Sequence, residues 1–377
     1  MRAKEFLTEA AVGRDLQHIE DHLIVSGSRG GLTSLQDIKA LAKNAGESSV
    51  KWNGTMAIYW GNDETGTFYL IPKAQWSKRL VLDKEGLARE IQGTGRKSPN
   101  QSDEEFAASR QRLASEYLRL WDVFEAASKG TQGFFTGDMM FAQRQQPGKD
   151  GNYVFTPNKV TYTVAPKGLY GKMPTAEAFV TVHGKATELG SSQLAPATPK
   201  EIAQLNSTPK LIALGAQTPV GGIKLDTKPI DTLAAELKAN AKAIDAISNY
   251  TAPKFTTLKQ VLYNYAVKLG KSDDKLDFGE WLKTSKVSAA QQAAIQELAQ
   301  TPEWKKFWEI FMKMKQVKYY VFDQLTKQHG DAMWNSLGIT ATTNGRPGGE
   351  GYVTPAGKIV NPAFRSAPDN PRFTGEI

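Results

Sequence analysis

Four charged residues stand where strands are predicted. Lys51 ends one strand and precedes an Asn-Gly pair, and Asp138 lies inside another strand. Glu350 opens a strand after a glycine-rich loop, and Lys358 opens the next one. Two carboxylates can hold a divalent metal, and two lysines can act on a phosphate. The set therefore suits phosphoryl or nucleotidyl transfer, which needs positioning and neutralisation of charged oxygens.

Lys51 is the candidate nucleophile of this set. Aromatic residues stand close to it in the sequence, and partial desolvation would favour the neutral amine, the form that attacks phosphorus. A structural lysine before a turn would give the same pattern. The tetrapeptide Lys-Trp-Asn-Gly does not by itself separate the two interpretations.

The elements that must position these residues indicate an α+β chain. Asn53-Gly54 is typical of a tight turn and predicts a hairpin over residues 48–61, extended by a third strand at 67–72. A long amphipathic helix is predicted at 103–128. Further strands are predicted at 133–141, 153–155 and 159–164.

Three other segments differ from these in composition or in the spacing of apolar residues. Residues 26–31 form a glycine-rich turn between predicted helices, and such a turn either binds phosphate through backbone N–H groups or simply connects. Residues 190–228 are rich in Pro, Thr, Ser and Gly and predict loops with one short strand at 211–214. From 229 to 335 the apolar spacing is helical.

Short motifs around the charged residues resemble those of covalent nucleotidyltransferases, the superfamily of ATP-dependent DNA ligases, RNA ligases and mRNA capping enzymes. Lys51-Trp52-Asn53-Gly54 is similar to their Lys-x-Asp-Gly element, and Lys51-x-x-Gly54-Thr55 to its RNA-ligase version. Phe135-Thr136-Gly137-Asp138-Met139 resembles the third element, Glu350-Gly351-Tyr352-Val353 the fourth, and Lys358-Ile359-Val360 the fifth. Their order along the chain is that of the superfamily.

This resemblance implies a role for each matched residue. Lys51 would attack the α-phosphate of ATP and carry the nucleotide as lysyl-AMP. Asp138 would contact the ribose or the metal shell, and Glu350 would help to place Mg²⁺ or Mn²⁺. Lys358 would contact the phosphate.

Two further cofactor-binding residues follow from the same resemblance. Gly54 belongs to the element that carries Lys51. Lys73, after the predicted third strand, would replace an arginine that contacts the ribose or a nucleic-acid phosphate.

The chain also departs from the superfamily pattern. Asn53 stands where aspartate is usual, Asp138 is one methylene shorter than the usual glutamate, and Val360 replaces a lysine. Few residues follow Lys358, so the C-terminal OB-fold of DNA ligases and capping enzymes is not expected. The resemblance therefore implies RNA ends more than DNA ends as acceptor.

Over nearly its whole length the chain resembles an uncharacterised protein family of large tailed bacteriophages. The likeness rests on the opening Met-Arg-Ala-x-Glu-Phe-Leu-Thr-Glu and on segments around Lys51-Trp52, Phe155–Tyr162 and Gly348–Val353. It implies a phage-encoded protein in the host cell cytoplasm or in the virion, and it brings no activity.

These inferences combine into one architecture. We expect an antiparallel-sheet, ligase adenylation-like α+β domain of residues 1–228 and 336–377, without a C-terminal OB-fold. A helical domain of residues 229–335 would be inserted into it. Its lysines fit either nucleic-acid phosphates or a solvated helix face; they include Lys305, Lys306, Lys313, Lys315 and Lys318.

The amino-acid composition limits the kinds of site and partner that the chain can have. The 377 residues carry a net charge of +8, which fits a nucleic-acid partner or a lysine-rich surface. The absence of cysteine excludes disulfides, thiolate metal sites and a cysteine nucleophile. No apolar run reaches the roughly 18 residues of a membrane span, and no signal peptide is predicted. Nothing in the sequence indicates an oligomeric state.

Three hypotheses remain from the sequence. The chain is a ligase-like nucleotidyltransferase, a catalytically degenerate nucleotide- or nucleic-acid-binding protein, or a virion or assembly protein. An enzyme needs Lys51, Glu350 and Lys358 on one pocket. In the binding protein Lys51 points away or is capped by an ion pair, and in the assembly protein these residues lie far apart.

Overall fold

The computed structural model describes residues 18–42, 48–76, 78, 82–95, 97, 101–191, 193–215, 223–251, 258–271, 275–285, 287–330, 336–354 and 356–366. Within them the helices α1 to α12 are Asp21–Leu41, Lys73–Trp76, Lys84–Gly93, Asp103–Ala127, Pro199–Leu205, Lys228–Ala239, Ala241–Ser248, Lys259–Lys271, Phe278–Thr284, Ala289–Leu298, Pro302–Leu325 and Pro362–Ser366. The strands β1 to β12 are Ser49–Lys51, Ala57–Asn62, Phe68–Pro72, Gly133–Phe141, Tyr153–Phe155, Val160–Val164, Ala178–Ala186, Leu211–Gly215, Ile339–Thr343, Arg346–Pro347, Gly351–Thr354 and Gly357–Val360.

The chain divides into two compact units. The helical unit consists of Met1–Val50, Pro219–Asp331 and Gly351–Ala367, and the sheet unit of Lys51–Thr218, Ala332–Glu350 and Pro368–Ile377. These boundaries differ from the predicted domains of 1–228 plus 336–377 and 229–335. The reason is packing, because α1 lies against α6 and α7, and β12 lies against α11. The mixed α+β class is confirmed, and both units mix helices with strands.

The larger sheet of the sheet unit has the strand order β3-β2-β4-β7-β8. Neighbouring strands are antiparallel except for β7 and β8, which are parallel. Its Trp60 and Phe135 side chains pack with α3 and α4 in one buried apolar cluster. Side chains alternate between the faces of a strand, so Tyr59 and Asp138 belong to the opposite face.

A second sheet of the same unit has the order β10-β9-β6-β5 and is antiparallel throughout. The predicted strands 133–141, 153–155 and 159–164 are confirmed within one residue. The predicted helix 103–128 is also confirmed as α4, which begins with a capping box formed by Ser102 and Glu105. The loop segment contains β8 as predicted and also α5, which the sequence reasoning missed.

The hairpin predicted over residues 48–61 is wrong. β1 pairs with β11 in the three-stranded sheet β1-β11-β12, whereas β2 pairs with β3 and β4. The Asn53 side chain is engaged in tertiary hydrogen bonds, and Gly54 lies against the backbone of β4. Asn-Gly therefore serves close packing here rather than a two-residue turn.

In the helical unit, the stripe predicted on α11 is core. Phe307, Phe311, Met314 and Val321 are all buried, and Pro302 opens the helix as predicted. Helices α6 to α11 confirm the helical character of the predicted 229–335 segment, apart from its residues outside the described ranges. None of the described helices is long and apolar enough to cross a membrane.

The glycine-rich turn at 26–31 lies inside α1, which kinks at Gly27 with φ of 61°. The Ser28 N–H and hydroxyl donate to the two carboxylate oxygens of Asp245 at 2.8 and 2.9 Å. A Cβ on Gly27 would lie 2.4 Å from Oδ1 of Asp245. This kinked segment of α1 therefore binds an acidic side chain of α7 within its own unit.

The lysines of α11 do not form a single solvent-exposed face of the helix. Lys315 and Lys318 are 2 % and 0 % exposed, and Lys318 pairs with the equally buried Glu20. Lys306 and Lys313 form ion pairs with Glu309, and Lys313 also contacts Glu236 of α6. At least four of the five lysines thus serve packing or ion pairs within this unit.

Candidate functional site

Lys51 and Glu350 form an ion pair in the sheet unit. Nζ of Lys51 lies 2.7 Å from Oε1 of Glu350, with 24 % and 9 % of the two side chains exposed. The first and fourth predicted motifs therefore meet. The amine of a lysine must lose a proton before it can act as a nucleophile.

Asn53 fixes the geometry of this ion pair. Its Nδ2 donates to Oε2 of Glu350 at 3.0 Å, while its Oδ1 accepts from the backbone N–H of Lys159 at 2.9 Å. Its own N–H donates to the hydroxyl of Tyr162 at 3.0 Å. Both oxygens of Glu350 are therefore engaged, one by Lys51 and one by Asn53.

Trp52 anchors the segment between Lys51 and Asn53. Its ring is 3 % exposed and stacks on Tyr162 with centroids 5.7 Å apart. Phe179 contacts the same ring edge-on, and Phe155 continues the stack on Tyr162. Such aromatic packing restrains the backbone on both sides and so holds Lys51, the last residue of β1, in a fixed position.

Gly54 brings the loop onto β4. A Cβ at this position would lie 2.6 Å from Cβ of Asp138 and 2.9 Å from the carbonyl oxygen of Met139. The next residue, Thr55, donates its N–H to that carbonyl at 2.9 Å. Only glycine allows this approach, so the first and third predicted motifs are in direct contact.

Asp138 is hydrogen-bonded to His183 of β7, whose Nε2 lies 2.9 Å from Oδ2. Burial raises the pKa of Asp138, but the hydrogen bond and charge of His183 and the charges of Lys51 and Lys73 outweigh it. The pKa of Asp138 therefore lies below its ordinary value. The carboxylate is ionised at neutral pH and lies in the field of three basic groups.

The other predicted site residues fall in two places. Lys73 is the exposed first residue of α2, and its charge acts on Asp138 as just described. Lys358 belongs to β12 in the helical unit, where it pairs with Val353 of β11. Its backbone also forms an isolated β-bridge with His18. The sheet unit thus brings together Lys51, Gly54, Lys73, Asp138 and Glu350.

The acidic side chains of this cluster are relevant to the divalent metal ion that the resemblance implies. Among the described residues, no group of three or more His, Cys, Asp or Glu is arranged to hold a metal ion. Mg²⁺ commonly uses one or two carboxylates together with substrate phosphates and water. Glu350 and Asp138 are carboxylates of the type that such a site uses, and each is held by protein groups, Glu350 by Lys51 and Asn53 and Asp138 by His183. They do not form a dedicated cage.

Sequence reasoning missed His183 and the contacts of Asn53. The strand that carries His183 was not predicted, although its apolar and β-branched run from Phe179 to Val182 is a strand signature. The partners of Asn53 are distant in sequence, so spacing alone could not reveal them.

No protein-family model matches the chain, and no curated protein or solved structure matches it.

Proposed function

We propose that the chain is an ATP-dependent, ligase-like nucleotidyltransferase that acts through lysyl-AMP. The observation that carries the proposal is the cluster of Lys51, Gly54, Asp138 and Glu350 in one unit, linked by direct contacts. Residues from three motifs, far apart in sequence, would meet in this way if they served one reaction. Motifs matched by accident have no reason to do so.

Lys51 is the nucleophile in this proposal. Its amine attacks the α-phosphorus of ATP, a P–N bond forms, and pyrophosphate leaves with the electron pair of the broken P–O bond. The amine must first lose a proton, and Glu350 is the group within 2.7 Å that can receive it. Asn53 keeps Glu350 in place for this transfer.

Asp138 and Lys73 would hold the nucleotide in the proposal. Lys73 is exposed, and its ammonium is suited to a phosphate oxygen. Asp138, kept ionised by its basic neighbours, would contact the ribose or water around the metal. A bound Mg²⁺ or Mn²⁺ would neutralise phosphate charge, with Glu350 or Asp138 as its protein ligand.

The acceptor in this proposal is a polynucleotide end, RNA more than DNA. The net charge of +8 supports an anionic partner, and Gly54-Thr55 matches the RNA-ligase version of the first motif. We also propose a phage origin, with action in the host cytoplasm. The phage origin and the action in the host cytoplasm rest on the sequence resemblance.

A second candidate function is a nucleotide- or nucleic-acid-binding protein without chemistry. The ion pair between Lys51 and Glu350 favours it, because a lysine capped by a carboxylate is expected where the pocket binds a nucleotide without chemistry. Substitution of the second lysine of the fifth motif by Val360 points the same way. No contact of the described residues supports the virion or assembly alternative.

Self-labelling separates the two candidates. The protein is incubated with Mg²⁺ or Mn²⁺ and ATP labelled at the α- or the γ-phosphate, then denatured and separated from free nucleotide. The enzyme retains α-label and no γ-label, whereas the binding protein retains neither. Equilibrium binding of ATP without retained label would contradict the enzyme and support the binding protein.

A further inference from the structure

Tyr170 is the one exposed aromatic residue in the described part of the chain. It lies in the loop 165–177 between β6 and β7 and is 55 % exposed, whereas the other described Trp, Tyr and Phe residues are buried or half-buried. Among the described residues its hydroxyl has no hydrogen-bond partner and its ring has no aromatic neighbour. The ring is therefore open to a partner outside the chain, and it adds little to the core of its own unit.

The backbone at Tyr170 has a conformation that tyrosine rarely adopts. Leu169 and Tyr170 have φ of 40° and 66°, and Gly171 follows with φ of 69°. Asn344 is the only other non-glycine residue of the described ranges with a positive φ. Asparagine and glycine tolerate this region, whereas the Cβ of a tyrosine is crowded there by its own backbone. A side chain that is both strained and exposed does not serve stability, and such strain is typical of functional positions.

Tertiary contacts hold the loop on both sides of Tyr170. Leu169 is 0 % exposed and donates its N–H to the carbonyl oxygen of Leu337 at 2.7 Å. On the other side, Nζ of Lys172 donates to the carbonyl oxygen of Thr208 at 2.9 Å. Because the loop is anchored before a partner binds, little conformational freedom has to be lost when the ring makes a contact.

The charges around Tyr170 favour an anionic partner. Lys167 is exposed and has no ion pair with any described residue. Glu177 is the acidic residue of the loop, and Nζ of Lys210 lies 2.9 Å from its Oε1. Together with Lys172, three lysines therefore stand against one glutamate. An aromatic ring beside lysines is the combination with which proteins bind single-stranded nucleic acid, because a base stacks on the ring and an ammonium neutralises a phosphate.

Both strands that this loop connects reach the candidate site. In β6 the hydroxyl of Tyr162 accepts the N–H of Asn53, and in β7 Thr181 pairs with Asp138. A polynucleotide held at Tyr170 is therefore held by the unit that carries the candidate site.

We propose that the ring of Tyr170 stacks on an unpaired base of a single-stranded polynucleotide, with Lys167 on a neighbouring phosphate. The inference rests on the proposed function and deepens it, because it assigns a contact that holds the acceptor strand. Stacking needs an open base face, so the contact selects single strands over duplexes. Every base has such a face, so the contact has little sequence preference.

Equilibrium binding of a short, fluorescently labelled oligouridylate tests the proposal. Tyr170→Asn removes the ring, Tyr170→Phe keeps it, and Val154→Thr is the control at another exposed apolar residue of the sheet unit. Loss of one stacked base corresponds to about a 5- to 150-fold rise in Kd. We expect a rise of this size for Tyr170→Asn and parent affinity for the other two variants. Lys167→Gln should reduce the salt dependence of Kd, which Tyr170→Asn should leave unchanged.

Urea unfolding separates lost stacking from lost folding. Tyr170→Asn should unfold at a urea concentration no lower than that of the parent, because asparagine tolerates a φ of 66°. A lower midpoint would contradict the strain on which the inference depends.

A strand of the same length that has sugars and phosphates but no bases identifies the stacked group. The difference in Kd between the parent and Tyr170→Asn should vanish with this strand, and a difference that persists would overturn the stacking contact. Equal Kd of the two proteins for oligouridylate, or a parent that acquires AMP on Lys51 but binds no strand, would overturn the inference alone. A parent that neither acquires AMP nor binds the strand would overturn the proposed function and the inference with it.

Discussion

The ammonium of Lys51 and the carboxylate of Glu350 lie 2.7 Å apart, and Asn53 donates to the second carboxylate oxygen. Glu350 thus has a positive partner on one oxygen and a neutral donor on the other. This arrangement explains why an amide side chain occupies position 53. An acceptor there would face a carboxylate instead of bonding to it.

Replacement of Asn53 by aspartate tests this explanation. Asn53→Asp keeps the acceptor for the Lys159 N–H and places a second carboxylate against Glu350. We expect the free energy of unfolding at neutral pH to fall by roughly 1–3 kcal/mol. The deficit should shrink near pH 4, because a proton shared between the two adjacent carboxylates removes the repulsion between their charges. Urea unfolding at both pH values measures it, and an equal deficit at both would contradict the explanation.

Gly54 provides a test of the contact between the first and third motifs. In Gly54→Ala the new Cβ would lie 2.6 Å from Cβ of Asp138 and 2.9 Å from a backbone oxygen, so the loop must move. We expect a loss of roughly 1–3 kcal/mol in the free energy of unfolding. Gly93→Ala is the matched control, because among the described residues no atom outside the adjacent part of α3 lies within 4 Å of the added Cβ. Equal stability of Gly54→Ala and the parent would contradict the close approach.

Asp138 predicts a dependence of stability on pH. The pKa of this carboxyl is lowered from an ordinary value of 3.8, so its ionised form stabilises the folded chain above that pH. This contribution should be lost as the pH falls through the folded-state pKa, below about pH 4. His183→Gln removes one cause of the shift and should give a shallower decrease in stability between pH 5 and pH 3. Chemical unfolding across that range measures it, and identical slopes for variant and parent would contradict the role of His183.

The buried ion pair of Lys318 and Glu20 predicts how the stability of the helical unit changes when the pair is broken. Lys318→Met would leave the carboxylate of Glu20 in an interior where both side chains are 0 % exposed. Breaking such a pair typically costs about 3–5 kcal/mol, and we expect a loss of that order. The double variant Glu20→Leu/Lys318→Met should recover much of it. Lys313→Met, at an exposed pair, should change stability far less, and a comparable loss there would contradict the distinction.

The sequence was sufficient where local pattern decides the structure. The apolar period of α4 and α11, the proline at the start of α11 and the strand runs of β4 to β6 are local features, and all were predicted. From the motifs we expected an enzyme to bring Lys51, Glu350 and Lys358 to one pocket. In the sheet unit Lys51 and Glu350 form an ion pair, whereas Lys358 belongs to the helical unit.

The sequence was insufficient where a residue acts through distant partners. Asn53-Gly54 has the composition of a hairpin turn, and its actual partners Glu350, Lys159 and Asp138 could not be read from local spacing. The boundaries of the two units depend on α1 packing against α6 and α7, which is another long-range choice. His183 depends on a bulge, and a bulge leaves little trace in residue type.

The central claim is that Lys51 becomes covalently joined to AMP. After incubation with ATP and Mg²⁺ or Mn²⁺, the protein is denatured and digested, and its peptides are analysed by mass spectrometry. Lys84→Arg serves as a matched control at another ion-paired lysine of the sheet unit. We expect AMP on the peptide that carries Lys51 in the parent and in Lys84→Arg. Lys51→Arg should carry none, because a guanidinium stays protonated and cannot attack phosphorus. A folded parent that binds ATP but carries no AMP on Lys51 would contradict the account.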